Sequence, residues 1–204
     1  MGFLDGVSDL TLSNDFYGIT EELLQRLSYP CSYGKSLNKL AVTDGILNIV
    51  IADSLSYEMS LQGIRLPSDI SRRVKTVDSI QRKLQRKPDA RFQSVFNDLL
   101  SLRLVVESYP TSYPSYFRVV DMTNGKVVDD GYRAVHLYYK KDNYHYPIEV
   151  QLWSKGDCVF NNWTHTLGYK ILDSEVLSNL YKLYKSGKIS SEEDYMKYVG
   201  GLLL

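Results

Sequence analysis

From residue 19 to 28 the chain reads Ile-Thr-Glu-Glu-Leu-Leu-Gln-Arg-Leu-Ser, with leucines at helical spacing behind Thr20, whose hydroxyl suits an N-cap. A helix is predicted there, ending before Tyr29-Pro30. Between residues 36 and 60, Leu37, Leu40, Ile46, Leu47, Val50, Ile51, Leu55 and Met59 form a second helical stripe, interrupted near Asp44-Gly45. The first third, to residue 68, is therefore expected to be helical, with Pro67 closing it. Past residue 100 the period shortens. Leu102–Val106, Tyr116–Val120, Ala134–Tyr139 and Pro147–Leu152 are rich in β-branched and aromatic residues and read as four strands. Asn124-Gly125 marks a tight turn between the second and third, and Asp142-Asn143 a hairpin-like link between the third and fourth, so part of the sheet is antiparallel. Helical spacing returns from Asn161 through Leu177, Leu180, Leu183 and Tyr184, and again from Ser190 to Tyr198. The expected fold class is α+β: a mixed, partly antiparallel sheet flanked by helices.

Length and composition narrow this to one catalytic unit. The 204 residues, 44% hydrophobic and 24% charged, suit a single packed domain rather than a disordered scaffold. It divides into a helical region 1–68, a core 70–170 and C-terminal helices 171–204. Basic and acidic residues number 24 each, which removes any global electrostatic case for a nucleic-acid or membrane partner. The balance is uneven along the chain. Residues 72–91 hold eight Lys or Arg against Asp78 and Asp89, a net +6 that the remainder offsets. Cys31 and Cys158 lie far apart, offer no zinc-ligand spacing and suit a reducing compartment. Met1 to Asp5 shows no basic segment leading into an apolar run, and nowhere do ~18 apolar residues follow one another. The expected location is cytoplasmic, with no membrane partner. Seventeen tyrosines, many in the second half, suit half-buried sheet surfaces and base-stacking platforms alike.

Within the cationic stretch, Lys75, Ser79 and Lys83 recur at steps of four, which aligns them on one face of any helix that includes all three. Such a row of ammonium and hydroxyl donors grips polyphosphate oxygens, and the planar fork of Arg73 can also stack on a base. The same row also describes an ordinary solvated helix. Alternation sends Ile148, Val150 and Leu152 to one face and Glu149 and Gln151 to the other, so Glu149 lines either a site wall or a solvated sheet edge. Asp98 and Arg103 are five apart, and a straight strand points such residues to opposite faces. A helix end, turn or bulge has to intervene if they share a site. Gly131-Tyr132-Arg133-Ala134-Val135-His136 brings an aromatic ring, a guanidinium and an imidazole to the start of a strand.

Taken in order, Arg73-x-Lys75-x-x-x-Ser79-x-x-x-Lys83, Asp98-x-x-x-x-Arg103, Gly131-Tyr132-Arg133-x-x-His136, Ile148-Glu149-Val150-Gln151 and His165-x-x-x-Tyr169-Lys170 resemble the motifs of the RelA/SpoT nucleotidyltransferase domain. The similarity spans residues 70–170, with no His-Asp hydrolase domain beside it, so the chain resembles a single-domain small alarmone synthetase. The resemblance implies the RelA/SpoT synthetase-like nucleotidyltransferase fold and transfer of the β,γ-pyrophosphoryl group of ATP to a ribose 3′-hydroxyl, with AMP released. It implies Mg2+ held by Asp98 and Glu149, adenine between Arg73 and Arg103, and phosphates on Lys75, Ser79 and Lys83. By the same resemblance Glu149 draws the acceptor proton, assisted by Gln151, while Tyr132 stacks on the acceptor base and Arg133 and His136 orient phosphates nearby. Gln151 and His165 equally suit a packing role around the site.

Alarmone-making members of the family carry a Lys-Asp-Tyr-Ile…Pro-Lys stretch ahead of Gly-Tyr-Arg. Residues 116–130 here read Tyr-Phe-Arg-Val-Val-Asp-Met-Thr-Asn-Gly-Lys-Val-Val-Asp-Asp instead. Asp129–Arg133, Tyr146–Glu149 and Asn161–His165 look like the toxic small alarmone synthetases of toxin–antitoxin pairs, some of which pyrophosphorylate the terminal CCA adenosine of tRNA and block aminoacylation. That role is the leading expectation. It brings the tRNA acceptor end and a cognate antitoxin as partners, and Lys35, Lys39, Arg133, Lys140 and Lys141 as candidate stem contacts, each equally suited to solubilising the surface. The alternative is a synthetase making (p)ppGpp or (p)ppApp from ATP and a free nucleotide. A catalytically silent nucleotide-binding module is a third class, against which Asp98 and Glu149 together argue. Oligomeric state stays open, since Leu177, Leu180, Leu183 and Leu202–Leu204 suit either an interface or packing within the chain.

Overall fold

The computed structural model describes residues 16–37, 43–86, 91–168 and 171–202. Thr20 caps α1 (Glu21–Leu27) by accepting the Leu23 N–H at 3.1 Å, and Thr43 caps α2 (Asp44–Ser60) by accepting that of Ile46 at 3.4 Å. The interruption near Asp44-Gly45 is thus the start of a helix. After α2 come β1 (Ile70–Val74), α3 (Val77–Arg86), the short α4 (Phe92–Val95), β2 (Leu100–Val106), β3 (Phe117–Asp121), β4 (Val135–Tyr139) and β5 (Ile148–Ser154). Then follow α5 (Lys155–Trp163), a π-helical turn (Thr164–Gly168), α6 (Ser174–Lys185) and α7 (Glu192–Leu202). No helix among the described residues is long and apolar enough to cross a membrane.

The strands order as β1-β2-β5-β4-β3; β2 and β5 run parallel and the other pairs antiparallel. The sheet is mixed, as expected, and the four anticipated strands are present with shifted ends. β1 is an addition. Ile-Ser-Arg-Arg-Val buries only Ile70 at this sheet edge, so its apolar signal is faint and its arginines read as part of a basic helix. The pairing also corrects the position of Lys75. Its N–H donates to the Leu99 carbonyl at 2.8 Å, extending the β1–β2 contact, so Lys75 lies in the link before α3 and only Ser79 and Lys83 are on the helix.

One face of the sheet is the main core: Leu100, Leu102, Leu104, Val135, Leu137, Ile148, Val150 and Leu152 pack there with residues of α1, α2 and α4. A second cluster, Phe160, Leu177, Leu180, Ile189, Tyr195 and Val199, joins α5 to α6 and α7. Leu177 and Leu180 therefore pack within the chain. The loop after α1 is tied to the β4–β5 hairpin through buried Asp53, which accepts from Ser32 N–H at 2.9 Å and Tyr146 O–H at 2.7 Å. Backbone bonds from Cys31 to Tyr144 and from Leu37 to Asn143 complete the tie. Burial pushes the Cys31 thiol up, which makes it an inert core residue.

Candidate active site

Strand register assembles the other face. Arg73, Ser101, Glu149, Tyr138 and Arg118 are successive cross-strand neighbours from β1 to β3, and Ser71, Arg103, Gln151, His136 and Val120 form the adjacent row. Five-stranded pairing thus gathers side chains up to 80 residues apart in sequence, Ser71 and Gln151, into two parallel lines. A cleft of ≈ 250 Å³ opens over their β1–β2–β5 part, lined by Ser71, Arg72, Arg73, Ser101, Arg103, Gln151 and His165. His165 comes from the π-helical turn, an irregularity frequent at functional sites. Tyr169 and Lys170 lie outside the described residues.

At the β2 end of the face the chain turns through Asn97 and Asp98 before entering the strand, and this turn resolves the spacing conflict between Asp98 and Arg103. Lys75 Nζ lies 2.5 Å from one Asp98 oxygen, and Lys83 Nζ 3.0 Å from the other. Lys83 also donates to Asn97 at 3.2 Å. Two ammonium groups from different elements thus converge on one carboxylate. Burial lowers the pKa of Lys75, and the Asp98 charge opposes that fall. Ser79 is turned to local partners, accepting from Thr76 Oγ1 at 3.0 Å and from Arg82 at 3.4 Å.

Glu149 is 4% exposed and has four donors. Ser101 Oγ and Gln151 Nε2 reach one oxygen at 2.9 and 2.7 Å; Tyr138 O–H and His136 Nδ1 reach the other at 2.9 and 3.0 Å. Burial alone raises its pKa, but the bond and charge of His136, with the bonds from Gln151 and Tyr138, outweigh it and hold the carboxyl at about 2. Burial, then the charge of Glu149 and the bond to it, push Tyr138 up. Arg118 covers the Tyr138 ring at 4.6 Å.

In the loop before β4, Gly131 has φ +74°, and a Cβ there would lie 2.8 Å from the Leu177 carbonyl and 2.9 Å from Tyr181 Cβ. Only glycine fits this approach to α6. Tyr132 turns inward. Its O–H sits 2.8 Å from His136 Nε2 and 2.9 Å from the indole nitrogen of Trp153, and Lys126 Nζ lies over its ring at 4.7 Å. Tyr132 is thus fixed at its hydroxyl by two partners, with a cation over the ring assigned to base stacking. Tyr132→Phe is expected to cost about 1 kcal/mol of stability through the lost buried bonds and to raise the acceptor KM; Tyr132→Ala loses a further ~1–3 kcal/mol of base stacking. Urea midpoints and acceptor titrations check both, and a Phe variant equal to wild type would contradict the pinned geometry.

Arg133 is not brought to the cleft. Alternation turns it to the opposite face from His136, where Asp129 binds its guanidinium at 2.7 and 3.1 Å and the Tyr181 ring lies 4.3 Å away. That bond to Arg133 is the main cause that lowers Asp129 to about 2. Lys35, Lys140 and Lys141 share one end of the sheet through the loop-to-hairpin tie, the end from which β2 and Asp98 start. Lys39 lies outside the described residues. Ser101, Tyr138 and Trp153 were not singled out by motif, although strand alternation alone places Tyr138 beside His136 and Trp153 beside Gln151.

The carboxylates differ in their fit to Mg2+. Each Asp98 oxygen holds one lysine and keeps a lone pair, a hard donor of the kind Mg2+ takes together with substrate phosphates and water. Glu149 already accepts four bonds, the full capacity of a carboxylate, and takes a metal only by giving one up. Asp98 therefore fits the ion as it stands. Among the described residues no three His, Cys, Asp or Glu side chains form a cage for a metal.

No protein-family model and no curated protein matches the chain. Among solved structures it is similar to small alarmone synthetase 1 from Bacillus subtilis, at 20% identity over 78% of this chain and 97% of that one, TM-score 0.43. The same enzyme bound to its product pppGpp gives 22% identity over 76% and 87%, TM-score 0.42. A GTP pyrophosphokinase family protein from Streptococcus pneumoniae gives 19% over 76% and 96%, TM-score 0.38.

Proposed function

We propose that this protein is an ATP-dependent pyrophosphotransferase that moves the β,γ-pyrophosphoryl group of ATP to the ribose 3′-hydroxyl of a free purine nucleotide. The observation that supports this most is the convergence of two lysines on Asp98 beside a sheet face that aligns Arg73, Arg103 and Glu149. In this reading adenine enters between Arg73 and Arg103. Lys75 and Lys83, held on Asp98 in the resting cleft, turn part of their charge to the phosphates. Bound by Asp98 and those phosphates, Mg2+ supplies charge neutralisation at the transferred group. The 3′-oxygen attacks the β-phosphorus, the bond from that phosphorus to the α,β-bridging oxygen breaks, AMP leaves, and the hydroxyl proton passes to Glu149. Its four donors make Glu149 a weak base at rest. An acceptor hydroxyl that replaces one of them, Ser101 or Tyr138, raises its basicity on arrival.

The even charge balance favours a free nucleotide, because RNA backbones are held by surplus cations. One observation favours a second reading, in which a tRNA CCA end is the acceptor and the protein acts as a toxin restrained by an antitoxin. Lys35, Lys140 and Lys141 cluster at the Asp98 end of the sheet, where an acceptor stem would approach. Purified protein given γ-labelled ATP with GDP, GTP, an adenine nucleotide or deacylated tRNA separates the two. Label on a free nucleotide supports the first reading, label on tRNA alone selects the second, and ATP left intact with every acceptor overturns both.

A further inference from the structure

Trp153 belongs to none of the site motifs, yet it touches both Arg103 and Tyr132. It is the last cleft-facing residue of β5 and is 1% exposed. Its ring carries the Arg103 guanidinium 3.7 Å from the centroid, while Arg103 Nε and Nη2 both donate to Gln151 Oε1, at 3.2 and 3.1 Å. Arg103 is thereby held by face and edge at once, which makes it a planar shelf for a second stacked ring. At the indole edge, Nε1–H donates to the Tyr132 oxygen at 2.9 Å, with the two rings edge-on at 80°. An indole N–H only donates, so the Tyr132 oxygen accepts it, and the same hydroxyl meets His136 Nε2, whose Nδ1 lies 3.0 Å from a Glu149 oxygen.

We propose that Trp153 is the positioning residue that sets both substrate subsites, as the floor beneath the Arg103 shelf for the donor base and as the anchor of the Tyr132–His136–Glu149 chain on the acceptor side. The proposal rests on the pyrophosphotransferase reading for the identity of the two substrates. It separates the two roles of one side chain. Trp153→Phe keeps an aromatic face under Arg103 and removes the N–H; Trp153→Leu removes both.

The test is calorimetric binding of ATP to the full chain, with steady-state kinetics for each substrate. Trp153→Leu should weaken ATP by about tenfold, the loss of a desolvated cation–π stack. Trp153→Phe should hold ATP affinity within about twofold of wild type and raise the acceptor KM severalfold. A merely structural tryptophan gives no such split. Because Trp153→Leu opens a core position, Arg103→Lys provides the second arm: it keeps the charge, loses the planar shelf, and should weaken ATP as much. In a Trp163→Phe background, ATP should also shift the emission of Trp153, now the only indole in the chain. Wild-type affinity in both Trp153→Leu and Arg103→Lys, or wild-type kinetics in Trp153→Phe, overturns the proposal. A wild-type chain that binds ATP but transfers nothing overturns the function reading while the binding arms still decide the role of Trp153. A wild-type chain that does not bind ATP overturns both.

Discussion

Asp98→Asn is expected to lower pyrophosphoryl transfer by about 10²–10³-fold and to destabilise the fold at the same time. Both effects come from the same two contacts. With its charge gone, position 98 no longer holds Lys75 and Lys83 at the start of β2, and it offers Mg2+ a neutral amide. Lys75 is 8% exposed and its pKa is already lowered by burial, so loss of its counter-charge leaves a buried ammonium costing about 3 kcal/mol. Urea titration of the variant shows this as a lower midpoint. Lys75→Met in the same background should restore much of the stability, since it removes the orphaned charge, and none of the transfer. Recovery of activity in the double variant would mean that the ion pair serves folding alone.

Glu149→Gln is expected to lower transfer by roughly 10²–10⁴-fold while leaving ATP affinity within a few-fold of wild type. In the proposed reading the carboxylate serves the acceptor, and the adenine and phosphate contacts come from other side chains. Its stability effect carries a pH signature. The carboxyl titrates at about 2 in the folded chain against an ordinary 4.5. Its contribution, on the order of 3 kcal/mol, is therefore complete above pH 4.5 and is lost as the pH falls from there towards 2. The wild-type advantage over Glu149→Gln in urea midpoint should shrink across that window and stay constant above it. A constant advantage down to pH 2.5 would show that the four donors do not act on an ionised group.

Much of the scaffold was legible because burial writes a period into the sequence. The strands β2 to β5 carry continuous or alternating apolar residues, and Thr20 sits where an N-cap is needed. β1 was hidden for the opposite reason: it is an edge strand with one buried residue, and Ser71, Arg72 and Arg73 carry no apolar signal. Without it the condition that one helix include Lys75, Ser79 and Lys83 stayed open, since the step of four from Lys75 to Ser79 holds in the sequence whether or not the backbone is helical there.

For the site, alternation around Glu149 pointed to the face that carries the cleft, and the motif order named Arg73, Arg103, Gln151 and His165 among the residues that line it. Sequence could not give the cross-strand register, and register is what brings Ser101 and Tyr138 to Glu149 from 48 and 11 residues away. Nor could it show that Asp98 meets two lysines, or that Arg133, one residue after Tyr132, turns to the opposite face and is neutralised by Asp129. Trp153 escaped notice because a tryptophan in a buried strand is an ordinary core residue until its edge is found bonded to Tyr132.

The most direct measurement is phosphorus NMR of the products formed from ATP labelled on both the β- and γ-phosphates, with Mg2+ and the acceptor that takes label. The account predicts AMP as the leaving nucleotide and the two labelled phosphorus atoms still joined to each other on the acceptor ribose. Formation of ADP with a single labelled phosphate on the acceptor, or of ADP and free phosphate, would contradict it.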